Sequence, residues 1–135
     1  MALHFFKSAG GVSGIADDAG GTGAAIFDDV TFNGTTGQSR EQGLFVRNAV
    51  INKTYESIVI TFSDSDPVLD PTNFRLALTS SGLNTATPGA SLALPNLGAG
   101  PSETAMFIRC TINAGTAVAN YTGIKVIINA IELAV

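Results

Sequence analysis

Two long segments near the end of the chain alternate between apolar and other side chains, and this pattern constrains the fold most. They span residues 106–112 and 124–131. Successive side chains of a β-strand point to opposite faces, so each segment is predicted to be a strand with one buried face. The buried faces would contain Met106, Ile108, Cys110, Ile112, Ile124, Val126, Ile128 and Ala130. The turn-rich connection between them permits a hairpin without requiring one. We therefore expect an all-β domain in which these two strands are central.

The rest of the chain predicts shorter strands separated by turn signals. Strand-like segments lie at 2–7, 25–32, 44–50, 55–62, 73–79 and the start of 91–102. We expect loops at 33–43, 63–72 and 80–89, whereas 51–54 is short enough for a hairpin. No segment has the periodicity of a convincing amphipathic helix. Seven or eight short strands are typical of a single antiparallel β-sandwich, of the jelly-roll or immunoglobulin-like type.

The segment 8–24 contains six glycines and few apolar side chains. Ordering such a segment costs about 1–2 kcal/mol per residue in backbone entropy. We therefore divide the chain into an N-terminal strand with a Gly-rich arm at 1–24 and a sandwich domain at 25–135. The hypothesis is that the arm is mobile in the free protein and becomes ordered only against a neighbouring subunit or the larger assembly that the subunit joins, with Ala2–Phe6 as the anchor at its end.

Charge and hydropathy exclude several classes of function. The net charge is −4, and the Lys and Arg residues are scattered, which disfavours binding to nucleic acid. No apolar run approaches the length of a membrane helix, and the N-terminus does not resemble a signal peptide. We therefore expect synthesis in a cytoplasm and no membrane partner. An apolar fraction of 45% with few charges suits a subunit that is partly covered by neighbours, although an ordinary compact β-domain is the alternative.

The sequence contains no recognisable catalytic constellation. The single histidine, His4, and the single cysteine, Cys110, lie far apart, and Cys110 is expected in the core. We therefore predict no enzymatic activity, no cofactor and no small-molecule substrate. Asp64, Asp66 and Asp70 offer oxygen ligands for Ca²⁺, but their spacing does not match the EF-hand loop. No metal site is predicted, and calcium binding by these carboxylates stays an open alternative.

The face opposite the predicted core combines aromatic, aliphatic and basic residues. The inner set is Leu44, Val46, Ile58, Ile60, Phe62, Phe74, Leu76, Leu78, Met106, Ile108, Ile124, Val126 and Ile128. A solvated outer face would carry more Lys, Glu and Thr, whereas Phe and Arg together are typical of an interface. The predicted interface residues are Phe5, Phe6, Phe45, Arg47, Phe107, Arg109, Ile127 and Ile131. The alternative is that loops or the N-terminal arm cover this face within one subunit.

Three segments together resemble a known class of protein. They are ALHFFKSAGG at the start, IFDDVTFNGTTGQSREQGLFVRN leading into the first long strand, and FIRCTINAGTAVANYTGIKVII near the end. This arrangement is similar to that of small β-sandwich virion proteins of tailed bacteriophages. The resemblance covers most of the chain, and Phe107 stands where many of those proteins carry a tryptophan.

The resemblance implies a non-enzymatic structural protein of the virion, made in the host cytoplasm. The foremost expectation is a capsid decoration, or cement, protein that binds the shell and stabilises it. Its partners would be the major capsid protein and sister subunits in a homo-oligomer such as a trimer. A tail, neck or baseplate component is the alternative. A carbohydrate-binding or adhesin module is a second alternative, although the chain has no tryptophan and only Tyr55 and Tyr121 as flat polar aromatics.

Overall fold

The computed structural model describes residues 2–15, 26–27, 31–32, 35–63, 71–115, 119–120 and 124–135. These residues form ten strands and two short 3-10 turns, Pro71–Asn73 and Ser81–Asn84. The strands are β1 (Leu3–Ser8), β2 (Val12–Gly14), β3 (Thr31–Phe32), β4 (Gln38–Asn48), β5 (Lys53–Ser63), β6 (Phe74–Ala77), β7 (Leu92–Ala93), β8 (Ser102–Ile112), β9 (Ala119–Asn120) and β10 (Lys125–Ala134). None of the described helical segments is long and apolar enough to cross a membrane.

Eight of these strands form two antiparallel sheets in a β-sandwich-like arrangement. The five-stranded sheet has the order β2-β1-β4-β8-β6, and the three-stranded sheet has the order β10-β5-β7. Strands β3 and β9 form a separate antiparallel pair. From β4 onward, each successive strand of the two larger sheets lies in the opposite sheet from the strand before it. The predicted fold class, an antiparallel β-sandwich of seven or eight strands, is confirmed.

Neither of the two connections that the sequence permitted to be hairpins is one. The 51–54 segment does not close a hairpin, because β4 and β5 lie in different sheets. The two C-terminal strands also lie in different sheets. Strand β8 lies between β4 and β6, as expected of a central strand, whereas β10 stands first in the order β10-β5-β7, so among the described strands it is not central. Alternation specifies which side chains of a strand are buried, but it does not specify which strand lies beside it.

The centre of the larger sheet is the long pairing of β4 with β8, which runs from Gln38 opposite Ile112 to Asn48 opposite Ser102. The predicted loop at 33–43 is therefore a strand from Gln38 onward. In its polar first half, Ser39 and Glu41 lie opposite the polar residues Thr111 and Arg109 of β8. One such pair joins the hydroxyls of Ser39 and Thr111 at 2.8 Å.

The two sheets bury their facing side chains in one hydrophobic core. It contains the predicted inner residues of β4, β5, β6, β8 and β10, with two exceptions. Phe62 is only half-buried and packs against the core, with its ring 4.6 Å from that of Phe74. Leu78 follows the last residue of β6 and is 46% exposed, so its placement in the core was wrong.

The N-terminal strand belongs to this core. Strand β1 pairs with both β2 and β4, and Leu3 and Phe5 are fully buried. Ile15 is also buried, and its backbone N–H donates to the Phe5 carbonyl at 3.1 Å. Whereas the sequence predicted an arm from residue 8, residues up to 15 are packed on the sheet. The rest of the predicted arm, at 16–24, lies outside the described residues.

A β-bulge at Ser57 sets which side chains of β5 point inward. Asn129 of β10 lies opposite Val59 and Ile131 lies opposite Glu56, so β5 carries one extra residue here. Ser57 occupies it with a φ of 51°. In a regular strand, residues 55 and 58 would face opposite sides, because they are an odd number of positions apart. The extra residue turns both Tyr55 and Ile58 towards the core, and both are buried.

Candidate interaction surfaces

The structure places the predicted interface residues in three different locations. Five of them lie on the outer face of the five-stranded sheet, namely Phe6, Phe45, Arg47, Phe107 and Arg109. Ile127 and Ile131 lie on the outer face of β10 in the other sheet. Phe5 is fully buried in the core, so its assignment to an interface is wrong. Adjacent residues of a strand face opposite sides, and β1 turns Phe5 inward and Phe6 outward.

Phe6, Phe45 and Phe107 form an aromatic strip across the outer face of the five-stranded sheet. Phe6 on β1 lies opposite Phe45 on β4, and Phe107 on β8 lies opposite Gly43. A Cβ atom built on Gly43 would lie 3.0 Å from Cε1 of Phe107, so that ring lies closely over the glycine. All three rings are half-buried, which leaves an apolar surface that still reaches solvent.

An ion pair borders one end of the aromatic strip. Arg47 on β4 lies opposite Glu103 on β8, with 3.3 Å between Nη1 and Oε2. The backbone N–H of Gly10 donates to the same carboxylate at 3.1 Å. A Cβ atom on Gly11 would lie 3.1 Å from the Arg47 Nε, so the turn at 9–11 packs directly on the arginine. Gly10 and Gly11 both have a positive φ, which other residues adopt only with strain.

A second ion pair borders the other end. Arg109 on β8 binds Glu41 on β4 through both Nε and Nη2, and Nη2 also donates to Asn84 Oδ1 at 2.9 Å. The Ser80 hydroxyl donates to Glu41 at 3.2 Å. These contacts, first of all the hydrogen bond from Arg109, lower the pKa of Glu41 below its ordinary value. The Arg109 guanidinium is therefore engaged within its own subunit.

The 80–84 segment covers this end of the sheet. Leu83 is fully buried outside the main core, and Arg75 Nη1 donates to its carbonyl at 3.2 Å. The alternative that loops cover the outer face within one subunit therefore holds at this end, and the turn at 9–11 covers the opposite end. The half-buried aromatic strip lies between these two covers.

The second surface lies on the three-stranded sheet, and we name it the β10 patch. It consists of Ile127, Asn129, Ile131 and Leu133, which alternate with the inward-facing residues of β10. Ile131 is 50% exposed and Leu133 42% exposed. The sequence prediction included two of these residues and missed Asn129 and Leu133. The alternation itself gave the signal for Leu133, since it continues by one step beyond Ile131.

A polar network ties the N-terminus to the three-stranded sheet. The Tyr55 hydroxyl accepts a hydrogen bond from the Ala2 N–H at 2.9 Å and donates to Glu132 Oε2 at 2.6 Å. Lys53 Nζ lies 3.0 Å from the other oxygen of Glu132. Burial, with the neighbouring carboxylate, raises the pKa of Tyr55 above its usual value. The hydrogen bond from Tyr55, and then that from Lys53, lowers the pKa of Glu132.

Comparison with known proteins finds no match for this chain among family models, curated sequences or solved structures. What the protein does must therefore be inferred from its surfaces and its sequence.

The positions of the acidic, cysteine and tyrosine side chains bear on metal binding and sugar binding. Within the described part of the chain, no group of three or more His, Cys, Asp or Glu side chains is placed to hold a metal ion. Asp64, Asp66 and Asp70 lie outside the described residues. Cys110 is buried in the core, as its position in β8 predicted. Tyr55 is buried as well, so it is not available as a flat platform for a sugar ring.

Proposed function

We propose that this chain is a non-enzymatic structural protein of a tailed-phage virion, and specifically a capsid decoration protein. The observation that carries the proposal is the apolar character of both outer faces, with the aromatic strip on one sheet and the β10 patch on the other. A sheet face that meets only water usually carries polar residues between the buried ones. Side chains such as Phe6, Phe45 and Ile131 are better accounted for by a protein that docks on large neighbours.

The outer face of the five-stranded sheet has the anatomy of a docking surface. Its centre is apolar and aromatic, and both ends carry an arginine held by a carboxylate. Interfaces commonly have such an apolar centre and polar rim, and aromatic residues there contribute much of the binding energy. Because Arg47 and Arg109 are already held by Glu103 and Glu41, little side-chain entropy is lost when a partner covers them.

The resemblance to virion proteins supports the same proposal. Its first segment forms β1 and approaches β2, its second ends in β4, and its third begins in β8 and reaches β10. These elements supply all three rings of the aromatic strip. The proposed partner of that strip is the major capsid protein, and the proposed location of the chain is the virion.

Two other functions lead to different experimental outcomes. A tail, neck or baseplate component would use the same two faces but would occupy another part of the particle. A carbohydrate-binding or adhesin module would bind glycans as an isolated protein. The burial of Tyr55 removes one of the two tyrosines on which that function would depend, and Tyr121 lies outside the described residues.

The proposal is tested by locating the chain in purified virions of the phage that encodes it. Heads and tails are separated, and the chain is quantified in each fraction by mass spectrometry, with the major capsid protein as the reference. We expect the chain in the head fraction. Recovery only with tails would favour the tail component, and absence from both fractions, together with a specific hit in a glycan-binding screen, would favour the binding module.

A further inference from the structure

We infer that the outer face of the three-stranded sheet packs face to face against the same face of a second copy of this chain. The face consists of the β10 patch and the outward residues of β5 beside it. It reaches solvent, since Asn129 is exposed, Ile131 is 50% exposed and Leu133 42% exposed. An accessible apolar patch on a sheet face commonly marks a protein interface.

Two residues of opposite charge lie towards the two ends of this face. Lys125 is the first residue of β10 and is exposed. Glu56 on β5 lies opposite Ile131, which is six positions beyond Lys125, or about 20 Å at 3.3 Å per residue. The outward positions between the two charges are uncharged, namely Ile127, Asn129, Val59 and Thr61.

Neither of these charges forms an ion pair with another described residue. The other three glutamates of the chain are each held by a basic side chain, in the pairs Arg47–Glu103, Lys53–Glu132 and Arg109–Glu41. Glu56 also makes no hydrogen bond with the described residues, although it is half-buried. A charge that has lost part of its hydration is stabilised by an opposite charge, so this carboxylate is suited to a cation that a partner supplies.

The positions of the two charges identify that partner as a second copy. In a two-fold dimer every contact occurs twice, with the two residues exchanged between the copies. An axis that lies between the facing sheets and runs across their strands, midway between Ile127 and Asn129, reverses the strand direction. It brings Lys125 over Ile131 of the partner subunit. There the methylenes of the lysine cover the isoleucine, and the ammonium reaches Glu56 of the partner subunit.

The charges also favour this arrangement over two others. A two-fold axis parallel to the strands would place like charges at the same level of the two sheets, and like charges in contact weaken binding. A foreign partner would need an anion and a cation of its own at the matching spacing. A second copy carries both already, and the ion pair forms twice.

The expected assembly is a dimer rather than the trimer considered from the sequence. Its interface lies on the three-stranded sheets, so both aromatic strips, which lie on the five-stranded sheets, face away from it. The inference concerns the isolated protein, so it can fail while the proposed function holds, and the reverse.

The oligomeric state of the purified full chain tests the inference. Light scattering after size exclusion should give twice the monomer mass. Glu56→Lys and Lys125→Glu each set two like charges against each other, and each should raise the dissociation constant of the dimer at least about tenfold with an unchanged circular dichroism spectrum. Leu78→Lys is the control, because it adds a positive charge at an apolar residue that is 46% exposed and lies outside this face, and it should stay dimeric.

Mixing the two charge-reversal variants tests the contact itself. In a mixed dimer each of the two contacts again joins a cation to an anion, so Glu56→Lys and Lys125→Glu together should form a dimer that neither forms alone. A variant that had merely lost its fold could not be rescued in this way. The inference is overturned by a wild-type monomer at all concentrations, including one that binds only a different protein through this face. A trimer, single variants that dimerise like the wild type, or a mixture that stays monomeric would overturn it as well.

Discussion

Asn48 is a polar residue that the core accommodates because all its hydrogen-bonding groups are used. Its side chain is fully buried where β4 ends. The amide nitrogen donates to the carbonyls of Lys53 and Gly98 at 2.8 and 2.9 Å, and the oxygen accepts from the Val50 N–H at 3.0 Å. One side chain thereby fixes the end of β4, the start of β5 and the loop that leads to β8. These contacts hold the chain together at the point where it passes from one sheet to the other.

Asn48→Ala should destabilise the protein by about 2–4 kcal/mol. The substitution leaves buried backbone groups without partners, and each such group costs about 1–3 kcal/mol. Urea unfolding followed by circular dichroism measures the loss. Asn52→Ala is the control, because the Asn52 side chain is exposed in the adjacent turn, and it should be nearly neutral. Equal stabilities for the two variants would show that the network around Asn48 contributes little.

The contacts of Glu132 make stability depend on pH in the acid range. The pKa of Glu132 is lowered because Tyr55 and Lys53 stabilise its ionised carboxylate in the folded protein. Its contribution is therefore present above the unfolded pKa, near the ordinary value of 4.5, and is lost as the pH falls through the lower folded value.

Glu132→Gln should remove this part of the pH dependence. We expect the wild type to be more stable than the variant at pH 7, and the difference in free energy of unfolding to shrink below about pH 4.5 as the wild-type carboxylate protonates. Denaturant titrations at several pH values from 7 downwards measure it. A difference that stays constant over that range would contradict the account of this carboxylate.

At the scale of elements, β1 shows how two adjacent phenylalanines take different roles. Phe5→Ala should cost about 3–5 kcal/mol because it opens a cavity in the core. Phe6→Ala removes a half-buried ring from the outer face and should cost clearly less. Thermal unfolding of the two variants compares them directly, and equal losses would mean that the face assignment of β1 is wrong.

Deletion of residues 1–24 should prevent stable folding, because it removes Leu3, Phe5 and Ile15 from the core.

The bulge in β5 gives another prediction. A residue other than glycine in the left-handed region costs about 1–2 kcal/mol, and Ser57 has a φ of 51°. Ser57→Gly should therefore raise the melting temperature, whereas Ser57→Val should lower it. The reverse order would show that β5 does not contain the bulge.

Sequence reasoning succeeded for individual strands and failed for their neighbours. The alternation around Ile108 and Val126 correctly predicted which side chains are buried, since that depends only on the pleat. It did not reveal that the chain crosses to the other sheet after β4, because the contact of Asn48 with Gly98 joins residues that are 50 positions apart. The intrasubunit pairing of Arg109 with Glu41 was likewise missed, because 68 positions separate the two residues.

At the scale of the whole molecule, the two apolar surfaces lie on different sheets. Of the two, the aromatic strip is the one proposed to bind the shell.

Phe45→Asp should weaken binding to particles that were assembled without this chain. The substitution places a charge at the centre of the aromatic strip, and we expect at least about a tenfold loss of affinity, which corresponds to 1.4 kcal/mol. Sedimentation of purified chain with such particles measures the binding. Leu78→Asp is the control, because it adds the same charge at an exposed apolar residue outside the strip. Equal binding by both variants and the wild type would exclude the strip as the docking surface.

The most direct test of the central claim is a cryo-EM map of the virion at a resolution that separates β-strands. We expect the eight-stranded sandwich on the outside of the shell. The outer face of its five-stranded sheet should rest on the major capsid protein, with Phe45 buried in that contact. A map in which the chain is absent from the head, or in which that face is turned towards solvent while another surface holds the subunit, would contradict the claim.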